Sequence, residues 1–205
     1  MSLAPHDVDL KLVQPARGLE LDLMPLQGLW TEQQYLKLTD QTNHLVEFHD
    51  GAIEVLPMPT EEHQAILEYL FFAFRTFIEQ RGGKVRFAPL RLQVRAGRFR
   101  EPDILLVCDA GDPRRQNRYW LGADLVVEIV GPDDPERDTV TKRADYAEAG
   151  VSEYWIVNPA AATVTVLQLA EAAYTEYGVF TRGETARSML LAGLSVAVDD
   201  VLAAR

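Results

Sequence analysis

The stretch "DLVVEIVGPDD", residues 124–134, decides the fold and raises the main chemical question of the chain. Five of the six residues from Leu125 to Val130 are aliphatic, and the sixth is Glu128. A short apolar run that ends at Gly-Pro is typical of a buried strand. A carboxylate inside such a run is costly unless a neighbouring group neutralises it. The sequence therefore predicts a buried strand with a partnered acid near its centre.

An earlier apolar run, "EPDILLVC" (101–108), supplies a second acid, Asp103, at its start. If the two runs are antiparallel neighbours with Val107 opposite Asp124, then Asp103 lies opposite Glu128. Directly opposed side chains share one face of a sheet, with Cβ atoms about 4.5–5.5 Å apart. Two carboxylates placed so repel each other unless a divalent cation lies between them, and Mg²⁺ is usually held by one or two carboxylates together with water and phosphate oxygens. We therefore expect a metal site at this pair.

A lysine follows on the next predicted helix. Lys142 comes fourteen residues after Glu128, and Tyr146 lies one turn further on the same helix face. The short loop 131–137 allows that helix to fold back across the end of the strand. An amine at this place can orient a water or stabilise charge on a phosphoryl group. Two acids, one amine and a metal ion together predict a site for phosphodiester hydrolysis.

Each of these residues also has a structural explanation. Asp103 follows Pro102 and can simply begin a strand, Glu128 can pair with a core arginine, and Lys142 can be an exposed helix lysine. The functional hypothesis depends on the spacing of all three together.

Composition limits the classes of protein that this chain can belong to. Its 205 residues suffice for one domain with a sizeable core, and its net charge of −11 argues against non-specific binding of nucleic acid by the whole surface. A single cysteine, Cys108, excludes an internal disulfide and suits a reducing compartment. No apolar run is long enough to span a bilayer, and the start of the chain lacks the pattern of a secretory signal. These features favour a cytoplasmic protein.

Basic residues are concentrated in one segment. Residues 81–100, "RGGKVRFAPLRLQVRAGRFR", contain seven basic and no acidic side chains. The segment can be a solvated sheet face or a platform for phosphates. In the second case its candidate nucleic-acid-binding residues are Lys84, Arg86, Arg91 and Arg95.

Local patterns predict a mixed α/β domain with a sheet flanked by helices. Residues 1–24 form an N-terminal arm, and residues 25–205 form one domain. The predicted helices are "WTEQQYLKL" with Thr31 as its cap, Glu61–Arg81 with Thr60 as its cap, and Asp138–Ala149, after a loop over 131–138. The predicted strands are a hairpin over 45–56 around Asp50-Gly51, Lys84–Val94 interrupted near Pro89, Asp103–Cys108, Asp124–Val130, 153–158, a second hairpin from 163–169 and 174–180, and a final strand before a helical turn capped by Asp199 or Asp200.

Three segments resemble a known superfamily. "EPDILLVC", "DLVVEIVGP" and "RDTVTKRADYAEAGVSEYWIVNP" are similar to PD-(D/E)XK nucleases, and nearest to the Uma-two family of restriction-endonuclease-like proteins. The resemblance extends from about Trp30 to the C-terminus. It implies a restriction-endonuclease-like fold, with a central mixed β-sheet flanked by helices, an N-terminal hairpin and a C-terminal β-hairpin.

The resemblance also assigns roles to residues. The PD of the signature falls on Pro102 and Asp103, and its second acid falls on Glu128. The lysine position two residues later holds Val130, so the resemblance implies that Lys142 replaces that lysine from the helix. The family pattern adds two further residues: Glu47 is expected to join the metal shell or hold Lys142, and His63 to act on the attacking water or bind phosphate.

The residues and the resemblance together predict a Mg²⁺- or Mn²⁺-dependent nuclease acting on DNA, with Asp103 and Glu128 as metal ligands and a homodimer as the expected assembly. Two alternatives stay open. One is a module that keeps the nuclease fold and binds nucleic acid or a protein without cleaving. The other is an enzyme acting on a small phosphorylated molecule, which suits the acidic net charge.

Overall fold

A computed structural model describes residues 10–14, 18–131 and 136–204 of the chain. The helices are α1 Glu32–Thr39, α2 Glu61–Glu79, α3 Lys142–Glu148 and α4 Val198–Leu202, with a 3-10 turn at Met24–Leu26 and a π-helical turn at Arg137–Thr141. The strands are β1 Lys11–Gln14, β2 Leu19–Asp22, β3 Val46–His49, β4 Ala52–Val55, β5 Lys84–Phe87, β6 Leu92–Arg95, β7 Arg98–Arg100, β8 Ile104–Val107, β9 Leu125–Ile129, β10 Glu153–Asn158, β11 Thr163–Ala170, β12 Ala173–Thr181, β13 Thr185–Arg187 and β14 Ser195–Ala197.

A six-stranded sheet forms the centre of the molecule, in the order β12-β11-β10-β9-β8-β5. Strands β9 and β10 are parallel, and every other neighbouring pair is antiparallel. Strand β9 is buried along its whole length, which explains its continuous aliphatic run. The predicted central mixed sheet is confirmed.

Helices cover both faces of this sheet. Apolar side chains of α2 and α4 pack on one face against alternate residues of β8 and β9, including Ile104 and Val127. Tyr146 of α3 packs on the opposite face against Leu105 and Val126. Because neighbouring strand residues point to opposite faces, β8 and β9 contribute to both cores. The prediction of a sheet flanked by helices is therefore correct.

A second, four-stranded sheet in the order β4-β3-β7-β6 packs with α1. Tyr35 of α1 stacks on Phe48 of β3 at 5.0 Å between ring centroids and also contacts Phe99 of β7. Strands β3 and β7 of this smaller layer carry charged side chains that pair with residues of α3.

The register of β8 and β9 agrees with the sequence prediction. Ile104 is opposite Val127 and Leu106 is opposite Leu125. The same register, extended by one residue, sets Asp103 opposite Glu128. The two acids that the sequence paired therefore lie at the same end of the sheet.

Several local predictions are confirmed. Thr31 caps α1 in a capping box with Gln34, and Thr60 caps α2 by accepting a hydrogen bond from the backbone N–H of His63. The first hairpin turns at Asp50 and Gly51, both with positive φ, as an Asp-Gly turn requires. The C-terminal hairpin is formed by β11 and β12.

Other local predictions were wrong. The predicted strand 84–94 is divided between the two sheets, because Pro89 lies between β5 and β6. Strand β7 was not predicted, and α2 ends at Glu79, two residues before the predicted end at Arg81. The final helical turn is preceded by Ala197 as its cap residue, with Asp199 and Asp200 inside its first turn.

The predicted helix 138–149 is divided in the structure. Its first residues lie in the π-helical turn Arg137–Thr141, and α3 covers Lys142–Glu148. Of the predicted loop 131–138, residues 132–135 lie outside the described residues. Of the predicted arm 1–24, residues 1–9 and 15–17 lie outside them, and its described part forms the β1-β2 hairpin. The division at residue 25 stays a prediction. None of the helices in the described ranges has the length and apolar character needed to cross a membrane.

Stability is expected to depend on the face of α2 that meets the central sheet. Phe74 is fully buried, with its ring edge-on to Trp155 at 5.4 Å. Phe74→Ala should lower the free energy of unfolding by about 3–5 kcal/mol, because it opens a cavity in the core. Phe72→Ala removes the same side chain from a position that is 53% exposed, so it should have a much smaller effect. Denaturant unfolding compares the two variants, and equal losses would contradict this account of the core.

Candidate active site

A cavity of about 550 Å³ lies where the starts of α2 and β8 meet the ends of β9 and β10. Four predicted site residues line it: His63, Asp103, Glu128 and Lys142. They come from four separate elements or their borders, so the fold brings together residues that are up to 79 positions apart. Glu47 is fully buried and contacts Lys142.

Asp103 is held by the neighbouring strand and by α2. Its Oδ2 accepts a hydrogen bond from the backbone N–H of Ile129 at 2.7 Å, and His63 Nε2 lies 3.2 Å from its carboxylate. Burial alone lowers the pKa of His63, but the hydrogen bond and the charge of Asp103 outweigh burial and raise it. His63 Nδ1 is buried and has no hydrogen-bond partner among the described residues.

Glu128 is buried near the C-terminal end of strand β9 and has two polar partners. The ammonium of Lys142 lies 2.9 Å from Glu128 Oε1, and the hydroxyl of Tyr146 donates a hydrogen bond to the same oxygen. Burial raises the pKa of Glu128, and the negative charges of Asp138 and Asp103 add to this effect against the attraction of Lys142. The partner of the acid in strand β9 is therefore a lysine, and the alternatives of a core arginine and an exposed Lys142 are wrong.

Lys142 lies among three carboxylates. Its Nζ is 2.9 Å from Glu128, 3.1 Å from Asp138 and 3.6 Å from Glu47. Burial on its own lowers the pKa of this amine, but the three acids together with Asp103 raise it above the ordinary lysine value. Lys142 therefore carries its positive charge at neutral pH.

The π-helical turn places one of these acids. Asp138 lies inside the turn and Lys142 is the first residue of α3, and both side chains are buried beside Glu128. The hydroxyl of Tyr154 donates to the backbone carbonyl of Asp138 at 2.7 Å, which ties the turn to strand β10. π-Helical turns often occur at functional sites, where they change the direction of side chains within a helix.

A second buried cation supports Lys142 from the smaller sheet. Arg100 of β7 pairs with Glu47 of β3, and its Nε donates to Asp145 of α3 at 2.8 Å. Burial raises the pKa of Glu47, but Lys142 and Arg100 outweigh it and lower that pKa to about 2. Glu47 is therefore a charged group that holds Lys142 in place.

The acids fit a hard divalent cation with few protein ligands. Asp103 and Glu128 provide carboxylate oxygens from opposite positions on two strands, next to a cavity that can admit water and phosphate. Within the part of the chain that the structure describes, no group of three or more acidic, histidine or cysteine side chains is arranged to hold a metal ion. Two carboxylates are nevertheless the usual protein share of a Mg²⁺ site.

The candidate nucleic-acid-binding residues lie elsewhere. Lys84 pairs with Glu79 at 2.8 Å, Arg91 pairs with Asp40, and Arg95 pairs with Asp50 at 2.7 Å. Arg86 is exposed on β5 and donates to the carbonyl of Val85. None of Lys84, Arg86, Arg91 and Arg95 lines the cavity. Lys84 and Arg86 lie on β5 of the central sheet, whereas Arg95 lies on β6 of the smaller sheet and Arg91 directly precedes that strand.

Sequence reasoning missed three of the charged residues around Lys142, namely Asp138, Arg100 and Asp145. A signal for Asp138 was present, because Asp138, Lys142 and Tyr146 are spaced four residues apart and share one helix face. Arg100 and Asp145 had no such signal. Their pairing depends on a contact between β7 and α3 that only the tertiary structure supplies.

Removing Arg100 should destabilise the fold strongly. Arg100→Met leaves two buried carboxylates, Glu47 and Asp145, without one of their cations, so the free energy of unfolding should fall by about 3–5 kcal/mol. Arg118→Met removes an exposed ion pair with Asp40 and should change it by less than about 1 kcal/mol. Denaturant unfolding measures both, and an equally small loss in the two variants would show that the buried network contributes little.

Comparisons with known proteins identify the fold and the family of this chain. A crystal structure of a "putative nuclease belonging to DUF820" from Anabaena variabilis ATCC 29413 is similar, with a TM-score of 0.67 and 20% sequence identity, over 82% of this chain and 96% of that chain. This likeness establishes a shared fold. A comparison with curated proteins gives no match. The model of the Uma2 (Uma-two) family, described as "Putative restriction endonuclease", matches residues 32–199, which is most of the chain, and the protein therefore belongs to this family.

Proposed function

We propose that this protein is a metal-dependent nuclease that hydrolyses phosphodiester bonds in DNA. The observation that carries the proposal is the position of Lys142, whose ammonium lies 2.9 Å from Glu128 at a cavity that Asp103 and His63 also line. Membership of the Uma2 family supports the same reaction class.

Asp103 and Glu128 are the residues that would hold Mg²⁺ or Mn²⁺. When bound, such an ion neutralises phosphate charge and lowers the pKa of a coordinated water. Asp103 is kept in place for this role by the N–H of Ile129 and by His63. Glu128 is kept in place by Tyr146 and Lys142.

Lys142 acts as a cation in this proposal. Since its pKa is raised, it does not accept a proton from water near neutral pH. It can donate hydrogen bonds to the attacking water or to a phosphoryl oxygen, and it stabilises negative charge that develops there. Glu47 positions Lys142, and Arg100 in turn positions Glu47.

A module that binds without cleaving is the second candidate. Its support is that Lys142 is already surrounded by three carboxylates, so the cluster is partly neutralised without a metal ion. Metal binding distinguishes the two candidates.

We also propose a homodimer, as the family resemblance implies. Exposed apolar side chains near the C-terminal strands, Tyr177, Val179, Met189 and Leu190, offer a surface for a second copy. The mass of the protein in solution tests this proposal separately from its activity.

Cleavage should depend on the two acids. Asp103→Asn and Glu128→Gln should each lower the rate of Mg²⁺-dependent cleavage by at least about 10²–10³-fold, the scale of losing one group that stabilises transition-state charge. Glu176→Gln, an exposed acid on β12, is the matched control and should keep the wild-type rate. Single-stranded and duplex oligonucleotides are both assayed. Wild-type rates in Asp103→Asn, with an unchanged circular dichroism spectrum, would refute the proposed site.

Binding of the metal alone is expected to require Glu128. Calorimetric titration of Mn²⁺ into the wild-type protein should show one site, which chelation by EDTA reverses and Glu128→Gln removes, because one of only two carboxylate ligands is lost. Glu176→Gln should bind as the wild type does. If the wild-type protein binds no Mn²⁺ at any accessible concentration, the non-cleaving module is the better description.

A further inference from the structure

The cavity is lined by apolar as well as charged side chains. Pro57, Met58, Leu67 and Phe87 line it together with Asp103, Glu128 and Lys142. Met58 is 75% exposed and Phe87 is 45% exposed, although both are large apolar side chains. A concave site with apolar walls and a few convergent polar groups is typical of a site that binds a small group rather than a flat surface.

Phe87 lines the same cavity from the other face of the sheet. It lies opposite Ile104 in the pairing of β5 with β8, so its side chain shares the α2 face with Ile104, whereas Glu128 meets Lys142 and Tyr146 of α3 on the opposite face. The backbone N–H of the next residue, Ala88, donates to the carbonyl of Asp103 at 3.1 Å. The ring packs edge-on against Phe71 of α2, with centroids 4.8 Å apart. An aromatic ring held in this way is suited to stacking against a nucleic-acid base.

The described charges do not favour an intact duplex at this cavity. Binding of either form depends on cations that neutralise phosphates, and the duplex, with about twice the charge density along its axis, depends on them more strongly than a single strand does. Among the residues that the structure describes, the cations lining the cavity are Lys142, which is buried among acids, and Arg137, which pairs with Glu54. Lys84, Arg91 and Arg95 pair with acids away from the cavity, and the chain carries a net charge of −11.

We infer that the substrate is an unpaired strand of nucleic acid, whose base next to the scissile phosphate leaves the stack and rests on Phe87 and Met58. This inference depends on the proposed nuclease function and names the substrate class for the same site. Stacking is tolerant of sequence, since every base has a π-face, so we expect little sequence preference at this base. A base inside a duplex is inaccessible to Phe87 unless it is extruded, which requires unpairing energy.

Binding measured without cleavage tests the inference independently of catalysis. Fluorescence anisotropy in EDTA compares a labelled single-stranded oligonucleotide with the duplex of the same sequence. We expect tighter binding of the single strand, and we expect Phe87→Ala to weaken it by about 5- to 100-fold, the range of losing one base–aromatic stack. Phe72→Ala removes an exposed phenylalanine of α2 that does not line this cavity, and it is the matched control.

The conservative variant Phe87→Tyr keeps the ring and should bind the single strand as the wild type does. The unfolding midpoints of all variants are compared as well. If they agree, a purely structural role for Phe87 does not explain a loss of binding in Phe87→Ala that Phe87→Tyr restores. With Mg²⁺ present, we expect faster cleavage of the single strand than of the duplex or of a nucleoside phosphodiester. Equal or tighter binding of the duplex, or equal effects of Phe87→Ala and Phe72→Ala, would overturn the inference and leave the proposed nuclease intact. If no substrate is cleaved but Phe87 still governs single-strand binding, the nuclease proposal fails and the binding site stands.

Discussion

The contact between the Lys142 ammonium and the Glu128 carboxylate is the constraint on which the site depends. A carboxylate in the middle of a fully buried strand is unfavourable unless a cation and hydrogen-bond donors meet it there. Lys142 and Tyr146 reach it from α3, which fixes how that helix lies across the sheet. The same contact therefore positions α3 on the sheet and places the charged groups of Lys142 and Glu128 at the cavity.

Neutralisation does not end at this pair. Lys142 also contacts Asp138 and Glu47, and Glu47 in turn requires Arg100. Arg100 joins the smaller sheet to α3 through Asp145. A buried network of this kind is strong only when every member is satisfied, so it acts as a single unit that couples the two sheets at the site. Through this coupling, Glu47 and Arg100 of the smaller sheet help to position Lys142 at the cavity beside the central sheet.

The sequence predicted the central part of this arrangement from local patterns. The continuous aliphatic runs of β8 and β9 do not fix their register, but pairing the two acids suggested the one that the structure has, and the spacing after Glu128 pointed to Lys142. The segment 81–100 shows where the pattern fails. Its basic residues are adjacent in sequence, but Pro89 divides them between two sheets, and their partners, such as Glu79 and Asp50, come from distant segments. Ion pairs of that kind cannot be read from composition.

The charge state of Lys142 determines which chemistry remains for the rest of the cavity. An amine that stays protonated cannot activate water by removing its proton, so it contributes positive charge and hydrogen bonds only. In the proposed nuclease, a metal ion held by Asp103 and Glu128 would supply that activation, and His63 contacts the Asp103 carboxylate. If Lys142 and the acids bind one phosphate as proposed, Phe87 and the apolar residues that also line the cavity are left to meet the base, since an aromatic ring stacks on a base and does not bind a second phosphate. On this proposal, chemistry and substrate choice follow from the same distribution of charge.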